Sequence, residues 1–248
     1  VNSINWCRIV AQIVYYFWAF LQVGGTDKQV SFAVPTGNFG NIFAGYAAYK
    51  MGLPIKKLIV GANSNNILTR FFNSGTMEIN GVHSTISPSM DIQISSNFER
   101  LLFDMYDRDG AQVKASIDAF RKTGKFNVSE PQIKKACKLF DSASFDNTET
   151  KAMIVQVLQE TGELLDPHSA VGVAAGRAKR GKIETPMIAL ATANPAKFPS
   201  AVKNATGIHP KLPAHMSDLF DRDEKMDILE NNLEQVRSHI IAILEDNA

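Results

Sequence analysis

V-S-F-A-V-P-T-G-N-F-G-N, residues 30–41, decides the fold class. The apolar run from Val30 to Val34 has charge before it and Pro35 after it, which reads as a short buried strand. The T-G-N-F-G-N turn follows, then a helical stretch from Ile42 to Met51 stopped by Gly52-Leu53-Pro54, then a second strand from Lys57 to Gly61. Strand, glycine-containing turn, helix and strand form a βαβ unit. Its strands lie parallel in a covered sheet, joined by a right-handed crossover. An α/β fold is therefore predicted.

Upstream, Asn2 and Ser3 are candidate N-caps for a helix ending near Gly24-Gly25. Its centre, Ile9 to Val23, has the length of a signal-peptide core and is preceded by Arg8. It is nevertheless short of the roughly 20 apolar residues a span requires, has no small-x-small cleavage site and contains Gln12 and Gln22. A buried helix is the expected reading. The chain opens on Val1 without an initiator methionine and enters this helix at once, which reads as a truncation.

Downstream, Asn63-Ser64-Asn65 is expected to cap a helix reaching Phe72, and Ser95-Ser96-Asn97 another from Phe98 through Tyr106. The more polar stretch from Asp107 to Asn147 reads as a mostly helical insertion. A helix from Ala170 to Lys179, a Lys- and Gly-rich linker and a strand from Met187 to Thr192 resume the parallel pattern. The C-terminal end of that strand is where open α/β sheets place ligands. Met226, Leu229, Leu233, Val236, Ile240 and Ile243 recur at spacings of three and four, a stripe expected to dock on the protein's own body. The expected division is a core with the turn over 1–106, the helical insertion over 107–147, the rest of the core over 148–205 and a C-terminal helical tail over 206–248.

Composition narrows the function. The 248 residues are 45% apolar and carry a net charge of +1, so there is no electrostatic reason to expect nucleic acid or an anionic membrane as partner. Cys7 and Cys137 are far apart, and the five histidines show no H-E-x-x-H spacing, so neither a disulfide framework nor a metal site is expected. A cytoplasmic location follows as the default.

Any anion must then be bound locally, and the turn is the candidate. Gly37 and Gly40 permit conformations in which successive N–H groups converge, and the helix behind adds the positive end of its dipole. Such a turn suits a phosphate. A plain tight connection accounts for the same eight residues, 34–41, equally well.

Five stretches in register, V-N-S-I-N-W, V-P-T-G-N-F-G-N, S-P-S-M-D-I-Q-I-S-S-N-F-E-R, D-P-H-S-A-V-G and A-T-A-N-P-A-K-F, resemble the threonine synthases over nearly the whole chain. The resemblance implies the parallel-sheet large domain of a fold type II pyridoxal-phosphate enzyme. The reaction it implies converts O-phospho-L-homoserine and water to L-threonine and phosphate, the last step of threonine biosynthesis. It places the phosphate of pyridoxal 5'-phosphate on Gly37, Asn38, Phe39, Gly40 and Asn41, and the hydroxyl of Thr192 at the pyridine nitrogen. Asn194 stands where the family commonly has histidine. Asn5, Ser95, Ser96 and Asn97 fall in stretches bordering the substrate pocket, although helix capping explains the last three as well. Asp166 and His168 are candidates for orienting substrate or water, or simply for a D-P turn with a cap; Lys197 is a candidate for a phosphate or for a sheet end. The family's Schiff-base lysine lies in an F-K-D-like context N-terminal to everything in this chain, which contains no F-K-D. No catalytic residue is therefore assigned within it, and the chain alone is expected to be inactive. The alternative is a non-catalytic relative that binds a phosphate ligand or a protein partner. A serine or threonine dehydratase is disfavoured, because T-G-N-F-G-N replaces the run of three or four glycines typical of those enzymes.

Overall fold

The computed structural model describes residues 3–25, 28–181 and 185–246. In chain order the elements are α1 (Trp6–Gln22), β1 (Val30–Pro35), α2 (Gly40–Lys50), β2 (Ile55–Ala62), α3 (Ile67–Ser74), β3 (Thr76–Glu78), α4 (Phe98–Met105), α5 (Gly110–Thr123), β4 (Lys125–Asn127), α6 (Glu130–Cys137), β5 (Phe140–Ser144), α7 (Asn147–Thr161), α8 (Pro167–Arg180), β6 (Met187–Ala189), α9 (Pro199–Thr206) and α10 (Leu233–Asp246). Four strands make a parallel sheet in the order β5-β2-β1-β6, and β3 pairs antiparallel with β4. The α/β prediction holds, with β1-α2-β2 as its founding unit.

β1 and, from Leu58 on, β2 are apolar almost without interruption because both faces of the sheet are covered there. Phe32, Val34, Leu58 and Val60 join the larger core with residues of α1, α2, α3 and α4, including Tyr16, Ile42, Phe71 and Leu102. Their neighbours Ala33 and Ile59 point the other way, onto Ala175 of α8. α8 meets that second face with the small residues Gly172, Ala175 and Gly176, so it lies close to the sheet. A Cβ added at Gly172 would come within 2.8 Å of Pro35 Cδ.

Pairing of β1 with β6 brings together the two segments that leave their C-terminal ends, residues 36–40 and 190–193.

Several expected details differ. Asn5 caps α1, its Oδ1 accepting the Cys7 N–H at 2.9 Å, so the helix begins at Trp6. Ser3 is instead paired with Ser96 through their hydroxyls at 3.1 Å, and Asn2 lies outside the described residues. Asn63 and Asn65 do not cap α3. Their side-chain amides both donate to Asp91 Oδ1, at 2.7 and 2.9 Å, and α3 starts at Ile67. The expected helical insertion over 107–147 contains α5 and α6 but also β4, and it ends in β5, an edge strand of the main sheet. β5 was hidden because its F-D-S-A-S sequence is polar for a strand, as an edge position allows. β6 ends at Ala189, so Thr192 lies in the irregular segment beyond it, and much of the Lys- and Gly-rich linker lies outside the described residues.

Residues 1–211 form one compact unit and 212–248 a second. Within the second, Met226 and Leu229 of the expected stripe precede the helix. Asn232 fixes its start by accepting the N–H groups of Glu234 and Gln235 at 3.0 and 3.1 Å, so α10 carries only Leu233, Val236, Ile240 and Ile243. Among the described residues no helix is long and apolar enough to cross a membrane.

Replacing Gly172 with Val forces side-chain volume between α8 and Pro35. The expected cost is about 1–3 kcal/mol of unfolding free energy, read by thermal or chemical denaturation. A variant as stable as the parent would show that α8 is free to move away from the sheet.

Candidate functional site

A cavity of about 590 Å3 opens where the segments after β1 and β6 meet, within the range of small-molecule sites. The turn from Gly37 to Asn41 forms one wall, with the start of α2 directly behind it. The conformation that shapes this wall belongs to Phe39. Its φ of 62° and ψ of 0° are left-handed, whereas neither Gly37 nor Gly40 has a positive φ. For a non-glycine residue that geometry costs roughly 1–2 kcal/mol. Burial of the side chain offsets it: the ring packs against Phe98 at 5.2 Å, Phe140 at 5.9 Å and Phe72 at 6.5 Å between centroids. Phe39 thus buries its ring in the core while the residue borders the cavity.

A left-handed residue followed by a right-handed helix turns successive N–H groups towards one point. Among the described residues the N–H groups of Gly37, Asn38, Phe39, Gly40 and Asn41 have no hydrogen-bond partner, and α2 has no side-chain cap. They are orphan donors at the positive end of a helix dipole. Gly37 is required for a different reason from the one expected. A Cβ there would meet the Ser89 carbonyl oxygen at 2.7 Å, so the residue permits close approach of the 88–91 loop.

The carbonyls of the turn are held from behind. Ser95 Oγ donates to Gly37 O at 2.8 Å, and Ser96 Oγ donates to Asn38 Oδ1 at 3.2 Å. Asn97 donates to Asn38 O twice, from its backbone at 3.1 Å and from its side chain at 3.0 Å, and the same amide reaches Ser3 O at 2.8 Å. None of the three serves as a side-chain cap of α4. They form a strap behind the turn, and of them only Asn97 also lines the cavity. Tyr16, buried in the core, donates its hydroxyl to Asn41 O at 2.8 Å; burial pushes its phenol well up, which keeps it a neutral donor.

The remaining walls come from α1 and from the segment after β6. Arg8, Gln12 and Tyr15 line the cavity along one face of α1, and Gln12 Oε1 is buried without a partner among the described residues. Composition concealed these three, because they interrupt an apolar run. Their spacing of four and three on a helix was the signal that places them together. Thr192 and Lys197 line the cavity from the other side. Asn194 does not; it caps the short helix after it by accepting the Ala196 N–H at 2.9 Å. Asn5 is likewise a cap outside the cavity.

Asp166 and His168 begin α8. Asp166 is the N-cap, accepting the N–H of His168 at 2.8 Å and of Ser169 at 3.3 Å. Burial raises its carboxyl pKa, but hydrogen bonds from His168 and Ser169 outweigh that and hold it below the usual carboxylate range. The His168 ring lines the cavity and lies against Phe198 at 4.6 Å.

With this geometry in hand, likeness to known proteins is specific. Residues 169–240 match the family described as threonine synthase, C-terminal. The threonine synthase of Pseudomonas aeruginosa is 51% identical over 97% of this chain, an alignment covering 51% of that protein. Nearly the whole chain is thus similar to threonine synthases. It spans about half the length of the curated relatives it matches. A solved pyridoxal-phosphate-bound threonine synthase from Brucella melitensis superposes with a TM-score of 0.91 at 51% identity, covering 97% of this chain and 52% of that one. The yeast enzyme superposes with a TM-score of 0.88 at 40% identity, covering 99% and 53%. The parallel sheet described above is therefore the threonine synthase fold over that half.

If the aromatic cluster holds the left-handed turn, Phe39→Ala removes the compensation and leaves the strain. A loss of about 3–5 kcal/mol in denaturant-induced unfolding is expected. A loss below 1 kcal/mol would mean that the turn keeps its shape without the ring.

Proposed function

We propose that the natural protein is a threonine synthase of the cytoplasm, converting O-phospho-L-homoserine and water to L-threonine and phosphate with pyridoxal 5'-phosphate. The observation that carries this reading is the row of five unpartnered N–H groups, Gly37 to Asn41, at the start of α2 and opening on the cavity. Orphan donors at a helix N-terminus suit a phosphate dianion without any cation. In this reading those N–H groups hold the cofactor's phosphate, and Thr192 meets its pyridine nitrogen. When bound, the cofactor supplies a conjugated electron sink.

The chain's own side chains then divide the remaining work. Because the turn needs no cation, Arg8 and Lys197 are left to face a second anion in the same cavity, the phosphate of the substrate. A neutral hydroxyl at Thr192 can donate to a ring nitrogen or accept from its proton, so it orients the ring without enforcing one protonation state. The strap of Ser95, Ser96 and Asn97 keeps the turn's carbonyls engaged and its N–H groups directed at the ligand. The Schiff-base lysine is assigned to the part of the relatives' length that this chain does not span, so no turnover is expected from these 248 residues alone.

The test is pyridoxal-phosphate-dependent release of phosphate from O-phospho-L-homoserine by the natural protein; its absence in folded, cofactor-supplemented protein would reject the reading. Gly40→Asp adds a negative charge in the first turn of α2, which favours the helix and opposes a bound phosphate. The variant should fold and lose the cofactor's absorbance. Retained absorbance would remove the phosphate from the turn. Thr192→Val deletes the hydroxyl at nearly constant volume and should lower kcat about tenfold to a thousandfold, the range for losing roughly 1.4 to 4 kcal/mol of transition-state stabilisation. Unchanged turnover would place the ring elsewhere.

A further inference from the structure

Asp166, His168 and Ser169 are 1, 5 and 2% exposed, and helix capping accounts for only part of what they do. A cap is complete once the side-chain oxygens accept the N–H groups of His168 and Ser169. The same carboxylate also receives His168 Nδ1 at 2.9 Å and, in a short contact, Ser169 Oγ. Each of these groups is engaged on its far side by a backbone donor from another part of the chain. Thr192 N–H donates to Ser169 Oγ at 3.0 Å, and Ser89 N–H donates to His168 Nε2 at 3.3 Å.

Backbone N–H groups cannot accept, so the direction of every hydrogen is fixed. Ser169 accepts from Thr192 and must give its own hydrogen to Asp166 Oδ2. His168 accepts at Nε2, so its hydrogen is on Nδ1 and goes to Asp166 Oδ1, the neutral tautomer selected by its partners. Both relays end on one ionised carboxylate. One leads to the segment after β6, the other to the 88–91 loop that lies over Gly37.

We propose that Asp166 is a positioning residue for the cavity, holding Thr192 through Ser169 and Ser89 through His168. A carboxylate suits this task where an amide would not. Asparagine is an equally good N-cap, but it has one acceptor oxygen and must set an N–H against the hydrogen of His168 or Ser169. Asp166→Asn therefore separates positioning from capping. The proposal concerns the cavity walls and stands whichever ligand the cavity holds.

Residue-resolved amide hydrogen exchange on the natural protein is the test. Ser169→Ala should speed exchange at Thr192 about tenfold, the loss of one hydrogen bond, and leave Ser89 unchanged. His168→Phe should speed exchange at Ser89 and leave Thr192 unchanged. Asp166→Asn should speed exchange at one or both amides while the first turn of α8 keeps its protection. Wild-type exchange at both amides in Asp166→Asn, or at Thr192 in Ser169→Ala, would reduce Asp166 to a helix cap. Should Asp166→Asn fail to fold, the two single-relay variants decide the matter.

Discussion

The contact between the Phe39 ring and Phe72, Phe98 and Phe140 is the interaction on which the cavity depends. It draws a bulky side chain into the core and leaves its backbone in a conformation that only glycine adopts cheaply. The N–H groups around it are left without partners among the described residues, while Ser95 and Asn97 donate to the carbonyls of Gly37 and Asn38 and Ser96 donates to the Asn38 side chain. A glycine at 39 would adopt the same backbone with less strain but would have nothing to anchor it. The site is thus an extension of core packing rather than a loop placed on top of it.

Much of the fold could be read from residues 30–61, because a buried parallel sheet writes itself as apolar runs separated by glycine turns. What escaped were features set by tertiary context. β5 lies at an edge, where polar side chains are tolerated, and with three polar residues in five it looks like loop. Asn63, Asn65, Ser95, Ser96 and Asn97 have the chemistry of helix caps, and sequence alone cannot show that their side chains reach across the chain to Asp91, Gly37 and Asn38. Local hydrogen bonding and long-range hydrogen bonding use the same residue types.

The candidate site was legible to a similar degree. The turn and Thr192 do come together at one cavity, because β1 and β6 are neighbours in the sheet. The mechanism expected for the turn was only half correct: positive φ belongs to Phe39, while Gly37 serves close approach. Arg8, Gln12 and Tyr15 were passed over because the helix that carries them reads first as apolar. For Asp166 and His168 the sequence left a site role and a plain capped turn equally open, because the hydrogen bonds through Ser169 and His168 end on Thr192 and Ser89, far away in sequence.

The small-residue face of the sheet has a consequence for how this sequence can vary. Ala33, Gly61, Ala175 and Gly176 meet there, and a Cβ at Gly61 would lie 3.1 Å from Val171 O, while one at Gly176 would lie 3.0 Å from Ala33 Cβ. Volume added on either side has no neighbouring slack to absorb it, so tolerated exchanges must come in matched pairs, a gain on the helix offset by a loss on the strand. The aromatic face opposite, where large rings meet at many angles, can redistribute volume among several partners. Drift in this domain should consequently be coupled and slow on one side of the sheet and diffuse on the other.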